Sequence, residues 1–92
     1  MATIEISRSQ NNNLTRLYMG NVVVWFSYET PVAFHIPGER RVVSENVWSS
    51  TTGRHLTEIS PDKSMRIPHD EFERRLGELM IVITGALVGV KA

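Results

Sequence analysis

A chain of 92 residues with 41% apolar and 22% charged content suffices for one small domain and is too apolar to stay disordered. Ten basic and ten acidic residues cancel, which excludes strong non-specific attraction to nucleic acid or anionic membrane through overall charge. The lack of cysteine excludes a disulfide framework, a thiol nucleophile and a thiolate zinc site, and it fits a reducing compartment.

Residues 2–7 alternate, with Ala2, Ile4 and Ile6 on one side, which predicts a half-buried strand. The N-terminus lacks the basic-then-apolar order of a secretory signal. Residues 9–13 are a polar, turn-forming run and read as a loop. Gly20-Asn21 sits between the β-rich runs 14–19 and 22–28, which predicts a two-residue II′ or I′ hairpin. Residues 22–26 are apolar on both faces, as in a central strand covered on each side. Pro31 cannot donate to a ladder and pushes Thr30 out of the helical region, so the chain is expected to turn there. Val32, Phe34 and Ile36 alternate as the next strand. Pro37-Gly38 then reads as a type II turn leading into a strand over 41–46.

After Val47 the period changes. Ser49, Ser50, Thr51 and Thr52 are all possible N-caps, and Thr52, Leu56 and Ile59 recur at helical spacing. A short helix is predicted over Ser50–Ile59, despite a propensity cost of about 1 kcal/mol at Gly53. Ser60-Pro61-Asp62 ends it. Asp70 and Glu73, following Pro68, predict the cap of a second helix, with Phe72, Leu76, Leu79, Met80 and Ile83 on its core face. The β-branched residues at 81–84 leave helix or strand open beyond that point. The expected fold is a single α+β domain over residues 1–92. It comprises an antiparallel meander of four to five strands, a short helix and a longer C-terminal amphipathic helix. The uncharged run 79–90 falls short of the roughly 20 residues of a membrane-spanning helix, so it reads as core or subunit interface. So small a domain gains burial by associating, and a homo-oligomer, most simply a dimer, is expected.

No catalytic motif is visible. Gly53, Gly77, Gly85 and Gly89 form neither a phosphate loop nor a dinucleotide fingerprint, and no cofactor is expected. His35, His55 and His69 are too far apart in sequence to form a metal-site pair and read as ordinary histidines. Glu71, Glu73 and Glu78 fall on the polar side of the second helix. Arg40-Arg41 and Arg74-Arg75 carry an alternative reading as phosphate contacts of a nucleic-acid binder. Trp25, Tyr28, Phe34 and Trp48 read as core rather than as a stacking platform.

The segment 46–56 concentrates hydroxyls, an amide, an indole and two potentially cationic groups at a strand-to-helix junction. A helix start presents free N–H groups and a positive dipole end. Trp48, Thr51, Thr52, Arg54 and His55 are therefore candidate binding residues for a ligand with an anionic and a planar part. Such a ligand is a nucleotide-like molecule or an acidic loop of a partner protein. The competing reading is a capped helix start with a core tryptophan and a structural His55.

Residues 26–34 and 46–56 carry a resemblance. The runs Tyr28-Glu29-Thr30-Pro31-Val32-Ala33-Phe34 and Asn46-Val47-Trp48-Ser49-Ser50-Thr51-Thr52-Gly53-Arg54-His55-Leu56 resemble a "YxTxVAF … NxWSxTTGxHL" pattern. That pattern belongs to a family of small uncharacterised proteins of bacteriophages, plasmids and related bacterial elements, and the likeness covers residues 24–59. It implies an accessory protein of a mobile element, cytoplasmic in a bacterial host, and it brings no activity. The expected function is non-enzymatic, the stoichiometric capture of a host protein or defence-related ligand. A nucleic-acid binder is the first alternative. An enzyme with an unfamiliar site near Thr52, Arg54 and His55 is the second.

Overall fold

A computed structural model describes residues 4–8 and 13–87, with side chains over 4–7 and 13–82. Strands β1 (Ile4–Arg8), β2 (Leu14–Met19), β3 (Val22–Ser27), β4 (Thr30–His35) and β5 (Val42–Ser44) form an antiparallel meander in chain order. Helix α1 (Ser50–Ile59) follows, then a short 3-10 turn (Lys63–Met65), strand β6 (Arg66–Ile67) and helix α2 (His69–Leu87). β6 is a sixth strand that the sequence pattern did not suggest. It pairs parallel to β5, Val43 opposite Arg66 and Ser44 opposite Ile67. Two residues are too few to show a period, so only the tertiary pairing reveals it.

The Gly20-Asn21 hairpin forms as expected, with Met19 paired to Val22. Gly20 has φ +62 and Asn21 is not in the positive-φ region, which makes the turn II′ rather than I′. Gly38 takes φ +84 in the Pro37-Gly38 turn, closed by the Glu39 N–H donating to the Ile36 carbonyl at 3.0 Å. The turn expected near Pro31 lies earlier. Ser27 pairs with Thr30 across Tyr28-Glu29, and Pro31 is already inside β4. Tyr28 takes the left-handed φ of +57, and its N–H donates to the Asn13 carbonyl at 2.7 Å. Pro31 is tolerated in an interior strand because the register slips beside it. Phe26 faces Pro31 while Trp25 faces Ala33, leaving Val32 as the extra residue of a bulge.

Alternation along the strands gives the sheet two apolar faces, one helix on each. Leu14, Trp25, Val32, Ala33 and Val43 pack with Leu56 and Ile59 of α1. Met19, Val24 and Phe34 pack with Phe72 and Leu79 of α2. β3 is covered on both sides, as its doubly apolar run implied. β1 is not: Ile4 and Ile6 pair with Met19 and Leu17 yet stay 52% and 69% exposed, since β1 is the sheet's outer strand. The half-burial expected of that strand is thus corrected.

α2 also differs from expectation at its start. It begins at His69, whose N–H donates to the carboxylate of Glu45, the residue just after β5, at 3.0 Å, while Asp70 accepts from the Glu71 N–H. A cap from a distant segment leaves no signature in the residues at the helix start. The helix continues through the β-branched residues to Leu87, which decides between helix and strand for 81–87. Met80, expected in the core, is 39% exposed. The Ile83 side chain and residues 88–90 lie outside the described residues, as do residues 2–3 and 9–12 of the expected first strand and loop.

Candidate functional site

α1 divides the residues picked out by sequence between its two sides. Ser49 is the N-cap, its hydroxyl accepting from the Thr52 N–H at 3.2 Å. On the sheet side Thr52 and His55 are buried, at 6% and 2% exposure. Thr52 Oγ1 lies 2.9 Å from the Ser27 hydroxyl, and Ser27 Oγ lies 2.6 Å from His55 Nδ1. The Tyr28 ring packs at a tilt over His55, with centroids 5.9 Å apart. Trp48 is half-buried and meets His69 edge-on at 4.9 Å. Thr51 and Arg54 face solvent.

These five residues therefore do not converge on one surface. Thr52 and His55 form a hydroxyl–imidazole chain with Ser27 inside the protein, while Arg54 points the other way. Ser27 was missed in the sequence because only its position at the end of β3, opposite α1, gives it a role. Had His55 been purely a backbone-bonding residue, its partner would have been a carbonyl; instead it is a side chain 28 positions away.

On the outer side, Arg54 joins residues that sequence spacing did not connect to it. A cavity of about 370 Å³ opens beside the first turn of α1, lined by Asn46, Ser50 and Gly53 together with Arg54, Lys63 and Arg66. The three cations come from α1, the 3-10 turn and β6. Among the described residues none of the three has an ion-pair partner. Arg66 donates from Nη2 to Thr57 Oγ1 at 3.3 Å, and its buried Nε–H has no acceptor among the described residues. Asp62 caps the 3-10 turn that carries Lys63. Its carboxyl is held below the usual carboxylate range by the Ser64 hydroxyl and then by the Ser64 N–H. Lys63 and Arg66 share no motif with segment 46–56, so no sequence signal ties them to Arg54.

Asn46 shapes this cavity. Its Oδ1 accepts from the Trp48 N–H and its Nδ2 donates to the Ser49 carbonyl, both at 3.0 Å. A Cβ on Gly53 would come within 2.9 Å of Asn46 Nδ2. Helix propensity alone favours Gly53→Ala by about 1 kcal/mol. The close approach reverses the sign: we expect the substitution to destabilise the protein, by about 1–2 kcal/mol, through strain or loss of the Asn46 bonds. Chemical denaturation checks this, and a stabilised variant would show that Asn46 moves aside freely.

The four arginines of the nucleic-acid reading are engaged elsewhere. Arg74 pairs with Glu78 at 3.2 Å and Arg75 with Glu71 at 2.6 Å. Arg41 donates to the Ile59 carbonyl and lies over the Trp25 ring, 5.2 Å from its centroid. Arg40 approaches the Met65 sulfur at 4.0 Å. Among the described residues, no helix is long and apolar enough to cross a membrane.

Fold and site together define a small α+β protein: a six-stranded sheet between two helices, with a cavity lined by Arg54, Lys63 and Arg66 at the start of the first. The chain belongs to a family of unknown function, DUF8033, whose profile matches residues 3–74. No curated protein and no solved structure matches it.

Proposed function

We propose that the protein is a non-enzymatic binding module that captures a partner through an anionic group seated in the cavity beside α1. One observation carries this reading: Arg54, Lys63 and Arg66 line one cavity from three separate elements, with no acidic ion-pair partner among the described residues. Like charges gathered in this way repel one another, and a bound phosphate or carboxylate relieves that repulsion. The first turn of α1, at Ser50 and Gly53, adds the positive end of a helix dipole. The group would belong to a host protein or to a nucleotide-like, defence-related molecule. The resemblance to proteins of phages and plasmids supplies the setting, an accessory protein in the cytoplasm of a bacterial host. Action by stoichiometric capture requires a shaped, charged surface and no turnover.

The test is a pull-down from host lysate, comparing the natural protein with an Arg54→Glu/Lys63→Glu double variant. Both residues are exposed, so thermal stability is expected to stay within about 0.5 kcal/mol while capture falls at least about tenfold. Undiminished capture by the double variant would overturn the assignment. A captured species that proves to be nucleic acid, with affinity falling steeply as salt rises, would favour the nucleic-acid reading instead.

A further inference from the structure

We infer, resting on the anion-capture reading above, that the cavity beside α1 takes a phosphate monoester in its dianionic form, carried on a serine or threonine side chain of a partner protein.

Arg54, Lys63 and Arg66 line the cavity, and none of the described residues lining it is acidic. Three acidic residues adjoin the lining in sequence, and each is turned to another partner. Glu45, beside Asn46, accepts from the His69 N–H at 3.0 Å. Glu58 lies one helical turn beyond Arg54, at the spacing of an ion pair, yet it reaches Arg16 of β2 at 4.0 Å. Asp62, beside Lys63, accepts from the Ser64 N–H at 3.0 Å and from the Ser64 hydroxyl at 2.6 Å. Three cations are thus gathered while the acids next to them are drawn off. A carboxylate or a phosphodiester brings a single negative charge. A phosphate monoester brings roughly 1.5 to 2 at neutral pH, on three strong acceptor oxygens, and so matches the cavity better.

Part of the site is held in place before a ligand arrives. Thr57 Oγ1 donates to the Gly53 carbonyl at 3.0 Å and accepts from Arg66 Nη2 at 3.3 Å, which ties that guanidinium to α1. A cation positioned in advance loses less freedom on binding.

The lining also favours one carrier for the phosphate. It contains no aromatic side chain among the described residues, so a nucleobase has no surface to stack on. Trp48, the aromatic closest in sequence, packs edge-on against His69 instead. A nucleotide would be held by its phosphate alone, and nucleic acid offers singly charged diesters along its length. A phosphorylated side chain needs only the charge and hydrogen-bond donors. Ser50, Arg54 and Lys63 are exposed, which leaves room for the chain that carries it.

The experiment is titration of the isotope-labelled full chain, followed by amide chemical shifts in low salt near neutral pH. The probes are a short phosphoserine peptide, the same peptide with glutamate in that place, dimethyl phosphate, and adenosine monophosphate beside ribose phosphate. The phosphoserine peptide is expected to shift the amides of residues 50–54 and 63–66. It should bind at least about tenfold more tightly than the glutamate peptide or dimethyl phosphate. The adenosine and ribose phosphates are expected to bind within about threefold of each other. Equal binding of the glutamate peptide or dimethyl phosphate at those amides would overturn the monoester assignment and leave anion capture standing. Adenosine monophosphate binding at least about tenfold more tightly than ribose phosphate would overturn the protein source, because a base is then recognised. If no probe shifts those amides, or if Arg54→Glu/Lys63→Glu binds them as well as the natural protein, this inference and the reading beneath it fall together.

Discussion

Phe72→Ala is expected to remove about 3–5 kcal/mol of stability, enough to leave a domain of this size marginal or unfolded. Phe72 is fully buried one turn into α2 and is the point where that helix grips the sheet. Its ring lies 5.8 Å from that of Phe34 and 6.5 Å from that of His69, and it shares a core cluster with Met19, Val24 and Leu79. Truncation removes the transfer energy of the ring and opens a cavity between two rigid layers that cannot collapse onto it. Leu76, half-buried further along the same helix face, should lose less when shortened to Ala. Urea unfolding read by fluorescence checks the difference. A loss below about 1 kcal/mol at Phe72 would mean that α2 is not what closes this face of the sheet.

The second large effect separates the two sides of α1. His55→Ala is expected to destabilise by about 2–3 kcal/mol, because it empties a buried site and takes one of two side-chain partners from the Ser27 hydroxyl, leaving only Thr52. Arg54→Ala, on the exposed side, should change stability by less than about 0.5 kcal/mol. Binding is expected to divide the other way. Arg54→Ala weakens capture at unchanged melting temperature, and His55→Ala lowers the melting temperature while the folded fraction binds normally. Thermal melts paired with titration of the captured partner decide it. A His55→Ala protein that melts normally and fails to bind would move the site inward, to the Ser27–Thr52–His55 chain.

The two sides also show how far the sequence could be read. Ser49–Thr52 and the spacing of Thr52, Leu56 and Ile59 were enough to place α1 over Ser50–Ile59, and its buried face follows that spacing. The same spacing already put His55 close to the Thr52–Leu56 side, but its chemistry suggested a ligand. What decides between buried partner and exposed site is the identity of the residue across the interface, here Ser27 from β3. The basic cavity was not legible at all. Arg54, Lys63 and Arg66 meet only because a 3-10 turn and a two-residue strand return the chain to β5 after α1.

By itself the sequence determined whatever depends on neighbours a few residues apart. The two-residue hairpin at Gly20-Asn21, the type II turn at Pro37-Gly38, the meander strands and the two helices all follow from local turn chemistry and periodicity. Tertiary structure decided the rest. It set the turn expected near Pro31 on Tyr28-Glu29, just before it, because the bulge at Val32 lets the proline enter an interior strand. It moved the cap of α2 to Glu45, since the carboxylate just after β5 reaches the first N–H. It left Ile4 and Ile6 uncovered, because one helix is narrower than a six-stranded sheet, and it left Ile81 and Val82 of α2 exposed. Local pattern records which side of an element is apolar, and only the packing of distant elements determines whether anything lies against it.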